Sequence, residues 1–433
     1  MAGGGRGGAA SIAVAQRNIS RHAFLPKMTI FIFILATYVI LRFKLTHSVT
    51  FYTATLFQLL DRIMTRKTFI GGLAVSFLSV FFIAPSATAA EKTITDVIGR
   101  EVKVDLPAKR VVLGFYFEDY MAVGGEKAYD SVVGISREAW EGWVPANWKM
   151  HLAHRASLAD IADVGEVEAQ TFSVEKVLSL NPDLVILADW QYKALGLDAD
   201  RLEEEGIPVV VVDYNAQTVE RHVVSTRLFG ELTGQQQRGK EIAEFYAGSL
   251  KDVAERVAKS GQPKPKVYVE FGNKGPAEYS FTYGKNMWGA MSTAAGGDNI
   301  AAPFVEWWGP INPEQVLASK PDAIFISGRE NNKNPAALPM GQAVKAADAR
   351  EKLKAFETRQ GWSELPAIKK GQLFGVYQGA SRTLSDFAMV QYIAKQLYPE
   401  QFKDVDPIAN YLGYYRKYLP VTPEGTFAIA VKD

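Results

Sequence analysis

One fifteen-residue pattern occurs twice in the chain, and it constrains the fold more than any other feature of the sequence. The first copy spans Ser173–Leu187 and the second spans Asn312–Ile326. Each copy begins with a helix-capping residue, carries a glutamate in the first turn, and continues through a short helix into Pro-Asp and an apolar strand. Because both copies keep the same frame and lie in different halves of the chain, they indicate two similar lobes.

Short apolar runs alternate with helical segments around both copies. Leu184–Leu187 and Val209–Val212 are apolar at every position, which is typical of strands buried on both faces of a parallel sheet. The predicted strands are Arg110–Gly114, Ser131–Gly134, Asp183–Ala188, Pro208–Asp213, Lys266–Phe271, Ala323–Ser327 and Leu373–Tyr377. We therefore predict an α/β fold in which mainly parallel sheets are flanked by helices.

One long helix is predicted between the two series of strands. The stretch from Gln235 to Ala258 contains no proline, and its apolar residues recur at helical spacing. At 1.5 Å per residue such a helix is roughly 36 Å long. We expect an N-terminal lobe at 91–234, a rigid connecting helix at 235–260 and a C-terminal lobe at 261–433.

The first 90 residues differ in composition from the rest of the chain. They hold nine Lys/Arg residues and a single acidic residue. After Met64, two basic residues precede an apolar run at Phe69–Ile83 and the small residues Ala87 and Ala89, which is the layout of a cleavable signal peptide. The run is shorter than the ~20 residues that span a bilayer. We therefore predict a signal peptide at 64–90 and export to the periplasm.

Residues 1–63 precede this signal and are expected to be an over-extended N-terminus upstream of the true start. The alternative is a membrane segment at Met28–Leu41, which is again short for a span. The chain has no cysteine, so it offers no site for a lipid anchor on cysteine after the signal.

Five segments support a family resemblance: Ile94–Gly114, Val174–Leu187, Leu232–Tyr246, the glycine-rich Ala294–Ala301 and Val390–Phe402. In this order they resemble the substrate-binding proteins of bacterial ABC importers for iron complexes, which serve ferric siderophores, haem and vitamin B12. The resemblance covers essentially all of the chain after the leader. It implies two lobes bridged by one long rigid helix, a ligand held in the cleft between them, and little hinge closure.

The resemblance also implies a partner. In this family a glutamate at the tip of each lobe contacts arginines of the ABC permease subunits, which work with their ATPase, and Glu175 and Glu314 occupy the matching positions of the repeat. The alternative is that both residues only favour a helix N-terminus. We expect a monomer that has no cofactor and binds no nucleic acid.

The ligand is expected beyond the carboxyl ends of the strands. The segments there combine aromatic side chains with a few cations, which suits a bulky anionic chelate such as a ferric siderophore. Haem, cobalamin and an oxyanion such as molybdate are the alternatives. The candidate ligand-binding residues are Tyr116, Tyr120, Arg137, Trp140, Trp143, Tyr283, Lys285, Trp307, Trp308 and Arg382.

Direct binding of a metal ion is a weaker hypothesis. Hard oxygen ligands suited to Fe³⁺ are available at Tyr116, Glu118, Asp119, Tyr120 and Tyr283. His151 and His154 are spaced for one helical face, but a pair without a third ligand is weak support for zinc, so we expect exposed loop histidines and no metal site.

Two other functional classes are alternatives to transport. A periplasmic enzyme is disfavoured because the chain after the leader lacks the G-x-S-x-G, H-E-x-x-H and P-loop motifs and has no cysteine nucleophile. A signalling or adhesion module with the same lobes is compatible with the sequence. The transport hypothesis, in which an iron chelate is captured and passed to a permease, is the one that the resemblance favours.

Overall fold

The computed structural model describes residues 90–330 and 333–432 of the chain. The predictions of an over-extended segment at 1–63 and of a signal peptide concern residues before 90, and therefore lie outside the described residues. Within the described part of the chain, no helix is both long and apolar enough to cross a membrane.

The N-terminal lobe is built on a five-stranded parallel sheet that follows a hairpin of β1 (Ala90–Thr95) and β2 (Glu101–Leu106). The sheet strands are β3 (Val111–Leu113), β4 (Val132–Ile135), β5 (Ala162–Asp163), β6 (Leu184–Ala188) and β7 (Val209–Val212). Their order is β5-β4-β3-β6-β7, and every neighbouring pair is parallel. The flanking helices are α1 (Phe117–Gly124), α2 (Pro145–His154), α3 (Val174–Ser179), α4 (Asp189–Leu195), α5 (Leu197–Glu204) and α6 (Val219–Leu232).

The C-terminal lobe has a mixed sheet with a parallel centre. Its strands are β8 (Lys266–Phe271), β9 (Phe281–Tyr283), β10 (Asp298–Asn299), β11 (Trp308–Pro310), β12 (Ala323–Gly328), β14 (Leu373–Tyr377) and β16 (Ala428–Ala430), and β13 (Gly341–Gln342) pairs with β15 (Gly425–Thr426) apart from it. The strand order is β11-β9-β8-β12-β14-β16, and β10 pairs with β8. The central strands β8, β12 and β14 are parallel to one another, whereas β9, β11 and β16 are antiparallel to their neighbours. The connecting helix α7 (Gln236–Ser260) precedes this lobe, whose own helices are α8 (Met287–Ala294), α9 (Pro313–Ser319), α10 (Ala346–Ala355), α11 (Pro366–Lys370), α12 (Phe387–Leu397) and α13 (Pro407–Tyr418).

All seven predicted strands are present, with bounds that differ by at most one residue at either end. The predicted α/β fold with two lobes is therefore confirmed. The repeat forms equivalent units, α3 followed by β6 and α9 followed by β12. In both units the N-cap side chain accepts a backbone hydrogen bond, Ser173 from Lys176 at 3.2 Å and Asn312 from Glu314 at 2.9 Å.

The aspartate of each Pro-Asp pair holds the start of the neighbouring strand. The carboxylate of Asp183 accepts hydrogen bonds from the backbone N–H groups of Lys109 and Arg110, both at 2.8 Å, just before β3. Asp322 accepts one from the backbone N–H of Lys266, the first residue of β8, at 2.9 Å. The repeated motif thus aligns the central strands of each sheet.

The long predicted helix is α7 (Gln236–Ser260), and it ends at Gly261 with a φ of 62°. It packs closely on α6, where a Cβ atom added to Gly239 would lie 3.0 Å from the Cα of Gly230. Phe245, one of the apolar residues that predict the helix, lies at the margin of the buried face and is 36% exposed. Helix α7 follows α6 of the N-terminal lobe and leads to β8, the first strand of the C-terminal lobe.

Candidate ligand-binding cleft

Two adjoining cavities lie between the lobes, at the carboxyl ends of the strands. The outer chamber measures about 380 Å³ and the inner chamber about 80 Å³. Their common wall consists of Trp143, Arg329, Gln378 and Arg382. Arg329 directly follows β12 and Gln378 directly follows β14, so this wall occupies the position where ligands bind in open α/β sheets.

The outer chamber is predominantly aromatic. Trp190 of the N-terminal lobe faces Phe271 and Phe281 of the C-terminal lobe across it. Trp307 and Trp308 form its rim, where they are 44% and 51% exposed. Large exposed aromatic side chains beside an apolar cavity are characteristic of a surface that a ligand covers.

The two arginines of the common wall lie against aromatic rings. The guanidinium carbon of Arg382 is 5.2 Å from the ring centre of Phe115 and 6.0 Å from that of Trp143. The guanidinium carbon of Arg329 is 5.9 Å from the ring centre of Trp143 and 5.0 Å from that of Phe271. Two cations therefore lie close to one indole ring, an arrangement that combines cation–π contact with strong attraction for an anion.

Arg382 is held in an unusual backbone conformation, with a φ of 64°. Its Nε atom is buried and has no hydrogen-bond partner among the described residues. Burial, reinforced by the charge of Arg329, lowers the pKa of Arg382. Because burying an unpaired donor costs about 1–3 kcal/mol, this guanidinium is poised to gain energy from a ligand that accepts hydrogen bonds.

Glu118 and Asp119 line the inner chamber, and both carboxylates are engaged within the protein. Glu118 lies 2.8 Å from His151 Nε2 and accepts a hydrogen bond from Tyr415 at 3.0 Å. Burial favours a higher pKa for Glu118, but these hydrogen bonds and one from Asn147 outweigh it and lower the pKa.

Asp119 behaves differently from its neighbour. Its Oδ1 atom accepts hydrogen bonds from the backbone N–H of Leu384 at 2.7 Å and from the hydroxyl of Thr383 at 2.9 Å. Burial nevertheless raises the pKa of Asp119 to about 7. Since Glu118 and Asp119 belong to the N-terminal lobe and their partners Tyr415, Thr383 and Leu384 to the C-terminal lobe, the two acids tie the lobes together.

The expectation that His151 and His154 are exposed loop residues was wrong for their place, since both lie on α2, and for the exposure of His151, whereas His154 is exposed as expected. His151 lies on α2 with a side chain that is 1% exposed, because Glu118 provides a buried acceptor for it from α1. His154 is on the same helix, is 39% exposed and lies 3.2 Å from Glu126. In the described residues, no group of three or more His, Cys, Asp or Glu side chains is placed to hold a metal ion.

Six of the ten candidate ligand-binding residues line the two chambers. Tyr116 and Trp140 border the inner one, Trp307 and Trp308 the outer one, and Trp143 and Arg382 both. Trp140 is 1% exposed and stacks on Phe117, so it supports the wall more than it offers surface.

The other four candidates do not line either chamber. Tyr120 packs between Tyr129 and Phe229 inside the N-terminal lobe. Arg137 donates a hydrogen bond to the carbonyl of Ala159 at 3.1 Å, and Lys285 pairs with Glu306 at 2.5 Å. Tyr283 is fully buried behind the wall, and its hydroxyl donates to Gln378 at 2.8 Å.

Sequence reasoning missed Arg329 and Trp190 as wall residues. Both follow predicted strands at the carboxyl edge of a sheet, Arg329 after β12 and Trp190 two residues after β6, so the rule that located the other segments was applicable to them. The candidate docking residues Glu175 and Glu314 lie in the first turns of α3 and α9 and are exposed. Glu175 pairs with Arg201 at 2.9 Å.

Comparisons with known proteins agree with this architecture. Residues 132–378 match the family described as periplasmic binding protein. The crystal structure of the TroA-like periplasmic binding protein FepB from Veillonella parvula is similar with a TM-score of 0.74 and 35% sequence identity, over 78% of this chain and 99% of that one. An uncharacterised ABC transporter substrate-binding lipoprotein of Bacillus subtilis, YvrC, is 26% identical over 57% of this chain and 71% of its own.

A third relative is the molybdate-binding protein MolA of Haemophilus influenzae. It is 22% identical over 76% of this chain and 91% of MolA. Its molybdate-bound structure is similar with a TM-score of 0.60 at 19% identity, which concerns the fold alone. The family match, the FepB likeness and the two-lobed fold together establish that this chain belongs to the periplasmic binding protein family, the substrate-binding proteins of ABC importers.

Proposed function

We propose that this protein captures an anionic iron chelate, a ferric siderophore, in the cleft and delivers it to an ABC permease in the periplasm. The observation that carries the proposal is the pair Arg329 and Arg382, whose guanidinium carbons lie 5.9 Å and 6.0 Å from the ring centre of Trp143. Aromatic rings that cover a flat chelate, with two cations beside the same ring, complement a catecholate complex in both shape and charge.

The size of the cleft supports a ligand larger than a simple ion. The outer chamber of about 380 Å³ falls within the range of small-molecule sites, and an ion as small as molybdate would leave most of it unfilled. The inner chamber of about 80 Å³ is closer to the size of an oxyanion, which with the likeness to MolA makes molybdate the second candidate. Glu118 lines that chamber, however, and because its pKa is lowered, its negative charge would repel an oxyanion.

Delivery rests on Glu175 and Glu314. They occupy equivalent exposed positions on the two lobes, and complementary charge at such an interface speeds encounter and fixes orientation. We propose that each contacts a basic residue of one permease subunit and that the protein acts as an exported monomer. Replacement of both by alanine is expected to lower uptake of the iron chelate by cells and to leave binding by the purified protein unchanged.

The ligand assignment is tested by tryptophan fluorescence of the purified protein. Five tryptophans line the two chambers, namely Trp140, Trp143, Trp190, Trp307 and Trp308, so a bound chelate should quench the emission. The titrants are a ferric catecholate, a ferric hydroxamate, haemin, cyanocobalamin and molybdate. Submicromolar quenching by the ferric catecholate, with recovery of an unaltered complex, would support capture without turnover.

Two variants complete this test. Arg382→Gln is expected to weaken binding of the ferric catecholate by about tenfold or more, because it removes a charge from a desolvated wall. Arg155→Gln is the matched control: Arg155 pairs with Asp130 at 2.5 Å and does not line either chamber. If quenching comes from haemin, cyanocobalamin or molybdate instead, the siderophore assignment fails.

A further inference from the structure

We infer that Gln378 is a specificity-determining residue whose side-chain amide is held by Tyr283 and Trp288 so that it offers the ligand hydrogen-bond donors only. The inference deepens the proposed function and rests on it, since it concerns the kind of ligand that the same cleft accepts. Gln378 lies at the carboxyl end of β14 and forms part of both chambers.

The orientation of the amide follows from its two partners. Gln378 Oε1 accepts one hydrogen bond from the Tyr283 hydroxyl and another from Trp288 Nε1, both at 2.8 Å. An indole N–H donates and never accepts, so the amide atom that faces Trp288 has to be the oxygen. Gln378 is 3% exposed and its two partners are fully buried, which leaves the group little freedom to rotate.

This arrangement leaves the nitrogen of the amide for a ligand. Gln378 Oε1 accepts two hydrogen bonds, whereas Gln378 Nε2 donates none to another described residue. A second contact holds Tyr283 in place, since its hydroxyl lies 3.2 Å from Ser327 Oγ. Tyr283 thus acts as a positioning residue for Gln378, although the sequence predicts that it contacts the ligand directly.

The other members of the common wall have the same polarity. The polar groups of Trp143, Arg329 and Arg382 can only donate hydrogen bonds, and with Gln378 they make a wall without acceptors. A ligand that presents anionic oxygens here can accept hydrogen bonds from the Gln378 amide and from Arg382 Nε, whereas an ammonium group would leave both of these donors without a partner and would face two like charges. Sites of this kind discriminate strongly, because each unpaired buried polar group costs about 1–3 kcal/mol.

The test uses two iron chelates of opposite charge. The first is the anionic ferric complex of 2,3-dihydroxybenzoate, and the second is ferrioxamine B, whose pendant ammonium group makes it cationic. Gln378→Glu keeps both hydrogen bonds from Tyr283 and Trp288 but replaces the donors with a negative charge. We expect it to weaken binding of the anionic chelate at least tenfold and to leave binding of ferrioxamine B unchanged or stronger.

The positioning role of Tyr283 is tested by a double-mutant cycle. Tyr283→Phe should weaken binding of the anionic chelate about threefold in the wild-type background and have no further effect once Gln378→Leu is present, because the amide that it holds is then gone. Tyr398→Phe is the control. It removes a buried hydroxyl that donates to the carbonyl of Gly296 at 2.8 Å. Neither residue lines a chamber, so this variant should leave binding unaltered.

Three results would overturn the inference: wild-type affinity for the anionic chelate in Gln378→Glu, equal weakening for both chelates, or an effect of Tyr283→Phe that persists beside Gln378→Leu. These results differ from failure of the proposed function. If the wild type binds haemin or molybdate in place of the iron chelate, the siderophore assignment fails, and the same variants measured with that anion still decide the role of Gln378.

Discussion

The buried ion pair between Arg359 and Glu270, which lies on β8 of the C-terminal lobe, can be broken by one substitution. Arg359 Nη1 lies 2.6 Å from Glu270 Oε2 and Nη2 lies 2.9 Å from Oε1, and the two side chains are 4% and 0% exposed. Arg359→Met retains the length of the side chain but removes the two donations to Glu270, together with hydrogen bonds from the guanidinium to three backbone carbonyls. We expect the free energy of unfolding to fall by about 3–5 kcal/mol, because the carboxylate of Glu270 is left buried without its counter-ion.

The remaining contacts of Glu270 are too weak to replace the arginine. It keeps hydrogen bonds from the Tyr268 hydroxyl at 2.9 Å and from the backbone N–H of Ser280 at 3.2 Å, each worth only about 0.5–1.5 kcal/mol. Burial already raises the pKa of Glu270, and Arg359 opposes that rise. Without Arg359 the pKa rises further, so the variant is most stable at low pH and loses stability as the pH rises through the folded-state pKa.

Urea unfolding at pH 5 and pH 8 measures this effect. The deficit of Arg359→Met should be larger at pH 8, and adding Glu270→Leu should recover much of it by removing the uncompensated charge. Arg256→Met is the control, since Arg256 pairs at 2.7 Å with Asp404, which is 63% exposed, and should cost no more than about 1 kcal/mol through the lost ion pair. A deficit of Arg359→Met no larger than the control, and independent of pH, would refute the reasoning.

Two further predictions concern the helix packing and the cleft. Gly239→Val should destabilise the protein by about 1–3 kcal/mol in urea unfolding, because the valine side chain would collide with Gly230. The control is Gly248→Ala, at an open position of the same helix, which should stabilise the protein by up to about 1 kcal/mol. Equal effects of the two substitutions would contradict the close packing of α7 on α6. The pKa of Asp119 is raised to about 7, so its contribution to stability is fully present below the unfolded-state value near 3.9 and is lost as the pH rises to about 7, by at most about 1.4 kcal/mol per pH unit. Asp119→Asn, which keeps an acceptor for Thr383, should become more stable relative to the wild type as the pH rises from 5 to 7, and a constant difference would contradict this assignment.

Much of the fold could be predicted because it depends on local patterns. Strands such as Val209–Val212 are apolar at every position, and the wholly buried β7 has these bounds. The aspartates of the repeat show what a pattern leaves out. Their Pro-Asp signature identifies the end of a helix, but the hydrogen bond that Asp183 accepts from the backbone N–H of Arg110, just before β3, joins residues 73 positions apart. Such long-range contacts follow from how the sheet is assembled.

The cleft could be predicted only in outline. Arg137 and Arg382 both follow strands, but the Arg137 guanidinium turns back to backbone carbonyls, whereas Arg382 adopts a positive φ and reaches the cavity. Nothing in the local sequence separates the two cases. His151 is similar, since its burial depends on an acid 33 residues away in the chain.

The hydrogen bonds that join the two lobes at the inner chamber bear on how a permease could recognise that the cleft holds a ligand. Glu118 and Asp119 bind Tyr415, Thr383 and Leu384 of the opposite lobe, and these contacts do not require a ligand. The angle between the lobes should therefore carry little information about whether the cleft is full. A permease that distinguishes the loaded from the empty protein would have to sense the surface at the cleft mouth, where the proposed ligand would cover Trp307 and Trp308. It would also have to break the hydrogen bonds between the lobes itself to spread them.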